Sequence, residues 1–257
     1  MKIKVVSLNV WDGGRLFDEL VDFCRGQAAD IYLFQEVFND QDPALERRYR
    51  AYAELQKELH LPHTQFAPTY VGLIDGVKHL QGNAVMSRFS LSPVSVRFYD
   101  EPFQKVVMKL RPLFPFIPRS LQHVVADIDG VSIHVLNTQG IWGEDGDDTP
   151  RRINMGRIIA QEVVSVGRQT PLVLAGDFNV DPNTESIRQI DVHLKSVFKG
   201  ELSCSFNLQQ KDLGKYPGYA KAVVDMMFVS DVVKVIEHSC PRVNVSDHLP
   251  LVAVLEI

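Results

Sequence analysis

Apolar and polar positions alternate along this chain in short strand-length runs, interrupted by a few stripes of helical period. The first run, Lys2–Asn9 (KIKVVSLN), alternates and then turns apolar, as a strand entering a sheet interior does, and it ends on Asn9. Leu16, Leu20 and Phe23 then recur at helical spacing with Phe17, Val21 and Cys24 beside them, which predicts an amphipathic helix ending near Gly26. The run 31–34 (IYLF) predicts a second buried strand that closes on Gln35 and Glu36. Strand, helix and strand, with each strand ending in a polar side chain, make a βαβ unit whose site lies at the strand carboxyl ends. Pro43 is expected to open a longer helix striped by Leu45, Tyr49, Tyr52, Leu55 and Leu59.

Beyond His63 the period shifts toward two, with strands expected at 83–87, 92–98, 104–110, 121–127 and 131–136. Asp129-Gly130 between the last two is a hairpin signal, so this middle region reads as antiparallel. Thr149 followed by Pro150 places an N-cap before a proline at the first helical position, and the helix should run to about residue 166. The apolar run 171–175 stops at Gly176, and Asp177 and Asn179 sit on the turn that follows. The runs 223–230 (VVDMMFVS) and 249–257 (LPLVAVLEI) read as the last core strands. With no linker, low-complexity tract or short repeat in view, one domain over 1–257 is expected.

The 257 residues are 45% hydrophobic and 23% charged, enough apolar material for a large core. A net charge of −5 argues against a protein that coats nucleic acid through a basic surface. An acidic enzyme still binds phosphate where a metal supplies the positive charge. Cys24, Cys204 and Cys240 lack metal-type spacing and are expected to stay reduced. The chain opens directly on a strand and holds no apolar run near the ~18 residues of a membrane span, so a cytoplasmic location is expected.

Polar residues at strand ends supply the candidate chemistry. Asp177 and Asn179 taken alone fit a local turn, a substrate-facing loop, or the start of a calcium loop; the last fails at Pro182, where glycine is needed, and at Arg188, where a bidentate glutamate should stand. The same design recurs at Asn9, Glu36, Gln139, Asp225 within VVDMMF, and Asp247-His248 in VSDHLPL. Asp225 stands out, because a carboxylate in an apolar strand carries a desolvation cost unless it is paired or binds metal. His248 is its candidate partner.

In this order, SLNVW (7–11), FQE (34–36), GNAVMSR (82–88), GDFN (176–179), VVDMMFV (223–229) and SDHLP (246–250) resemble the endonuclease/exonuclease/phosphatase superfamily with the deoxyribonuclease-I-like fold. The resemblance implies a four-layer α/β sandwich, two mixed central sheets packed face to face with helices outside, and Mg²⁺- or Mn²⁺-dependent hydrolysis of phosphate esters. By position it makes Glu36 the principal metal ligand, with Asn9 and Asp247 beside it, a hard-oxygen set suited to these ions. It makes Asp177 the group that activates water, Asn179 the holder of that water or of a phosphate oxygen, and His248, steadied by Asp225, the donor to the transition state. Asn83 and Arg119 are expected to bind substrate. Gln139 departs from the pattern, which usually has His or Tyr there; an amide donates a hydrogen bond but cannot transfer a proton, so an aryl or pyrophosphate-type leaving group, or a slow enzyme, is expected.

The substrate class expected is a nucleic-acid or nucleotide phosphodiester, with no protein partner required. One alternative is a phospholipid or sphingomyelin-type phosphodiesterase that rests on a membrane surface through residues 111–119, within the basic and apolar segment KVVMKLRPLFPFIPR. Another is a phosphate-binding descendant with weak or no turnover. The acidic loop WGEDGDD (142–148) would repel a polyanion if it lined the cleft.

Overall fold

A computed structural model describes residues 1–108 and 116–257. Two sheets form its centre. The first has seven strands in the order β12-β13-β1-β2-β4-β3-β6: β1 (Lys2–Asn9), β2 (Ile31–Phe38), β3 (His63–Ile74), β4 (Val77–Ser87), β6 (Gln104–Met108), β12 (Lys234–Ser239) and β13 (Leu251–Glu256). The second has six in the order β10-β11-β9-β8-β7-β5: β5 (Ser90–Phe98), β7 (Ser120–Ile128), β8 (Val131–Gln139), β9 (Leu172–Asp177), β10 (Lys195–Ser196) and β11 (Asp225–Val229). Each sheet mixes parallel and antiparallel pairs: β1 with β2 and β8 with β9 run parallel, while β1 with β13 and β9 with β11 run antiparallel.

Strand alternation sorts the side chains into layers. Val5, Leu33 and Val85 of the first sheet meet Val124, Val135, Val173 and Met227 of the second in one inter-sheet core. On the outer face of the first sheet, Val6, Leu8 and Phe34 pack under Leu20, Val21 and Cys24 of α1 (Phe17–Gln27) and Leu55 of α2 (Ala51–Leu59). Leu136, Leu174 and Phe228 of the second sheet pack under Met155 and Ile159 of α3 (Pro150–Val166) and Ile187 and Ile190 of α4 (Glu185–Asp191). This is the expected four-layer sandwich.

A belt of buried amides crosses between the sheets near their strand ends. Gln35 Nε2 donates to Asn137 Oδ1 at 2.7 Å, and Asn137 Nδ2 donates to the carbonyls of Phe34 (3.0 Å) and Ala84 (3.1 Å). Gln122 Nε2 reaches the Gln65 carbonyl at 2.8 Å, and Asn83 Nδ2 reaches that of Ser120 at 3.1 Å. Each of these amide N–H groups finds an acceptor across the sheet interface, while Gln35 Oε1 and Asn83 Oδ1 are buried without a partner.

Several boundaries differ from the sequence expectation. Pro43 opens no helix; a 3-10 turn at Arg47–Arg50 precedes α2, which begins at Ala51, so only the later part of the predicted stripe is α-helical. The predicted strand at 83–87 is the buried end of an 11-residue β4 whose outer half pairs with the 12-residue β3, and β12 and α4 were not expected. The strand expected at 104–110 is seen as β6, its last two positions lying outside the described residues, as do 111–115 of the segment assigned to membrane contact. Among the described residues no helix is long and apolar enough to cross a membrane.

Candidate active site

Strand register brings most of the predicted polar residues to one end of the sandwich. Asp177, the last residue of β9, lies in register with Gln139, the last of β8, on one side and with Asp225, the first of β11, on the other. On the first sheet, Asn9 ends β1 in register with Gln35, one residue before Glu36. Close backbone approach makes this possible. A Cβ on Gly176 would run into the Thr138 carbonyl oxygen, and one on Gly140 into that of Phe178. Four non-glycine residues at this end, Trp11, Asp12, Glu36 and Asn179, hold left-handed backbone with φ of 61°, 49°, 61° and 55°. Glu36 sits where the β2–β4 register shifts between Phe34 and Val37, so a bulge re-aims its carboxylate. Such conformations each cost on the order of 1–3 kcal/mol and persist where the surroundings enforce them.

Asn9 links the two sheets. Its Nδ2 donates to Glu36 Oε1 at 3.3 Å and to Asp177 Oδ2 at 3.1 Å, while its Oδ1 accepts the Trp11 N–H at 3.0 Å. Glu36 also accepts from Gln139 Nε2 at 2.8 Å and from the Asp12 N–H at 3.0 Å. Asp177 accepts the N–H and the side-chain amide of Asn179 at 3.0 and 3.1 Å, and Asn179 Nδ2 reaches the Gly140 carbonyl at 3.1 Å. Every partner of Asp177 in this network is neutral. Burial therefore pushes its carboxyl up to about 6, with the charges of Asp225 and Glu36 adding to the shift and that of His248 opposing it.

His248 Nδ1 contacts Asp225 Oδ2 at 2.9 Å, and both side chains are buried. Burial opposes charge on this imidazole, but the carboxylates of Asp225, Asp247 and Asp177 together with the Asp225 hydrogen bond outweigh it and raise its pKa to about 9. The imidazolium thus answers two carboxylates that face each other across β9 and β11. Ligand atoms of Asp177, Asp225 and His248 lie within 4.8 Å of one another. With a cation already present and Nδ1 committed to Asp225, this triplet is an acid–base group in form.

Asp247 lies next to this group on different terms. Its Oδ2 pairs with Lys211 Nζ at 2.6 Å, and Lys211 Nζ also lies over the rings of Phe206 (4.2 Å) and Tyr219 (4.9 Å). Ser246 joins this corner to the first sheet, donating from Oγ to the Asn9 carbonyl at 2.6 Å. Glu36, Asn9 and Asp247 offer only hard oxygens to an ion, the chemistry Mg²⁺ and Mn²⁺ prefer.

Asn83 and Arg119 take no part in this hydrogen-bond network among the described residues. Asn83 is fully buried, tied to Ser120, with its Oδ1 unpartnered, and Arg119 stands one residue before β7 with Nε and Nη1 buried and unpartnered. Sequence reading missed Ser205, Phe206 and Lys211. Ser205 Oγ accepts the N–H groups of Val224 and Asp225, and Phe206 forms a bridge with His248 and meets its ring edge-on at 4.6 Å. These residues lie in an irregular stretch with no periodic signal; the aromatic spacing of Phe206, Tyr216 and Tyr219 was the available clue.

Beside Asn179 a cavity of about 510 Å³ opens, lined by Trp142, Phe206, Tyr216, Tyr219 and Lys215 among others. The loop 142–148 forms one of its walls. Arg152, 1% exposed, holds this loop through the carbonyls of Ile141, Asp145 and Asp147 and the Asp145 carboxylate. Asp148 accepts the first N–H groups of α4, so much of the acidic run has local partners.

The family model described as "Endonuclease/Exonuclease/phosphatase family" matches residues 6–248. No curated protein matches the chain in sequence. Among solved structures, an endonuclease/exonuclease/phosphatase from Beutenbergia cavernae DSM 12333 is 20% identical over 100% of this chain and 72% of its own, with a TM-score of 0.74. A mannosyl-6-phosphatase from Bacteroides thetaiotaomicron VPI-5482 is 17% identical over 99% and 100%, with a TM-score of 0.69. A humanized D. rerio TDP2 is 14% identical over 100% and 99%, with a TM-score of 0.63. At these identities the structural likeness speaks for the fold, while the family match covers nearly the whole chain. The strand-end residues read from the sequence fall within that matched span, and the chain belongs to the endonuclease/exonuclease/phosphatase family.

Proposed function

We propose that the chain is a divalent-metal-dependent phosphoesterase that cleaves phosphodiester bonds of nucleotide-type substrates. The observation that carries this reading is the buried Asp177–Asp225–His248 group, set beside Glu36 through the Asn9 amide. A bound Mg²⁺ or Mn²⁺, held by Glu36 with Asn9 and Asp247 next to it, would offset negative charge on the phosphate oxygens. Asp177, raised to about 6, is ionised at neutral pH yet basic enough to take a proton from the attacking water. Asn179 orients that water or a phosphate oxygen. His248, charged up to about pH 9, uses Nδ1 for Asp225 and keeps Nε2–H as the donor to the equatorial oxygens of the transition state. Arg119 and Asn83, whose buried unpartnered atoms call for polar company, are assigned to the phosphate or its substituents in this reading. Gln139 donates to Glu36 and supplies no proton to the leaving oxygen.

Turnover of bis(p-nitrophenyl) phosphate with Mn²⁺ tests the proposal. Native protein should release nitrophenolate, and Glu36→Ala and His248→Ala should each abolish release while retaining the native circular dichroism. No turnover by the native protein with Mn²⁺ or Mg²⁺ would favour the silent phosphate-binding alternative instead.

A further inference from the structure

The cavity beside Asn179 carries an inference about the substrate. Its position is fixed at both ends of the catalytic group: Asn179, which bonds Asp177, lines it, and so does Phe206, whose ring meets His248 edge-on at 4.6 Å. Its chemistry is aromatic. Trp142 comes from the loop after β8, while Phe206, Tyr216 and Tyr219 come from the stretch before β11, with Tyr219 edge-on to both Phe206 (4.9 Å) and Tyr216 (5.7 Å). A volume of about 510 Å³ suits one small-molecule group. The charged residues of the lining are Glu144, Asp145 and Lys215, a mixed set and not the basic track a polynucleotide backbone needs.

We propose that this cavity seats a single planar ring of a low-molecular-mass phosphate ester. The inference rests on the phosphoesterase reading and names the substituent held beside Asn179 and Phe206 while Asp177 and His248 face the phosphate.

Calorimetry with phenylphosphonate, methylphosphonate and cyclohexylphosphonate, none of which is hydrolysed, tests the ring; steady-state kinetics test the chemistry. Phenylphosphonate should bind native protein at least about tenfold tighter than the methyl and cyclohexyl compounds. Trp142→Leu and Tyr216→Leu, loop positions whose folding is checked by thermal melting, should each erase most of that preference and leave methylphosphonate binding within about twofold. On bis(p-nitrophenyl) phosphate they should raise KM and spare kcat. Equal affinity for the three phosphonates, or an equal loss for all of them in the variants, overturns the inference. Oligothymidylate cleaved with a higher kcat/KM than the aryl ester overturns it as well. Turnover without ring preference sinks the cavity assignment and leaves the phosphoesterase standing; ring preference without turnover of any ester does the reverse.

Discussion

Replacing Asp225 by Asn should produce a loss of activity that grows with pH. The substitution keeps the shape of the side chain and removes the charge that contributes most to holding His248 protonated against its burial. With a pKa of about 9 the imidazole is about 90% charged at pH 8 and fully charged at pH 6. Returned to its ordinary value near 6.5, it would be only about 3% charged at pH 8 but still about 75% charged at pH 6. Loss of the charged donor therefore predicts a roughly 30-fold fall in kcat at pH 8 and less than a twofold fall at pH 6, beyond any pH-independent cost. Stability should move the opposite way. A histidine whose folded pKa lies above its unfolded one stabilises fully below about pH 6.5, and the contribution, roughly 3 kcal/mol for this buried group, disappears as pH rises through about 9. Asp225→Asn should thus lower the melting temperature most at pH 6 and least near pH 9. The assay is nitrophenolate release from bis(p-nitrophenyl) phosphate with Mn²⁺ at matched ionic strength, paired with thermal melts across the same range. An equal fractional loss at pH 6 and pH 8, or an unchanged imidazole titration by NMR, would refute the reasoning.

Asp177→Asn should abolish turnover yet raise the melting temperature above pH 6, because a carboxyl pushed up to about 6 by burial costs folding free energy once ionised; the gain, roughly 3 kcal/mol, should vanish below pH 4, and a lower melting temperature at pH 8 would contradict it. Gly140→Ala should drive a methyl into the Phe178 carbonyl and cost about 1–3 kcal/mol, read as a fall of several degrees in melting temperature together with lost activity, since Asn179 bonds the Gly140 carbonyl. Gln139→His should speed cleavage of alkyl esters by at least about tenfold and leave p-nitrophenyl esters unchanged; an equal effect on both would show that proton donation is not what the amide lacks.

Legibility in the sequence followed the burial of the backbone that carries each residue. Asn9, Asp177, Asp225 and the loop holding His248 adjoin apolar runs that must be core strands, so a polar side chain there was conspicuous and its register predictable. β3 is interrupted by Pro68 and Gly72, the outer half of β4 buries the polar His79 and Gln81, and β12 is an edge strand with largely exposed positions, so none of them shows the unbroken apolar pattern that reveals a strand. Lys211 and Phe206 were hidden for a related reason. They reach the site from irregular chain fixed by tertiary contacts with the loop 246–249, through bonds such as Asn207 N–H to the Asp247 carbonyl and Leu249 N–H to that of Ser205.

The amide belt between the sheets has a consequence for how this molecule tolerates change. An all-aliphatic interface lets one sheet slip by a fraction of a residue and repack with little loss, whereas Gln35, Asn137 and Gln122 accept only the alignment in which each finds its mate. The two halves of the candidate site, Glu36 with Asn9 on one sheet and Asp177 with Asp225 on the other, are therefore dowelled together from beneath. Drift in the aliphatic positions around them can proceed without moving a carboxylate.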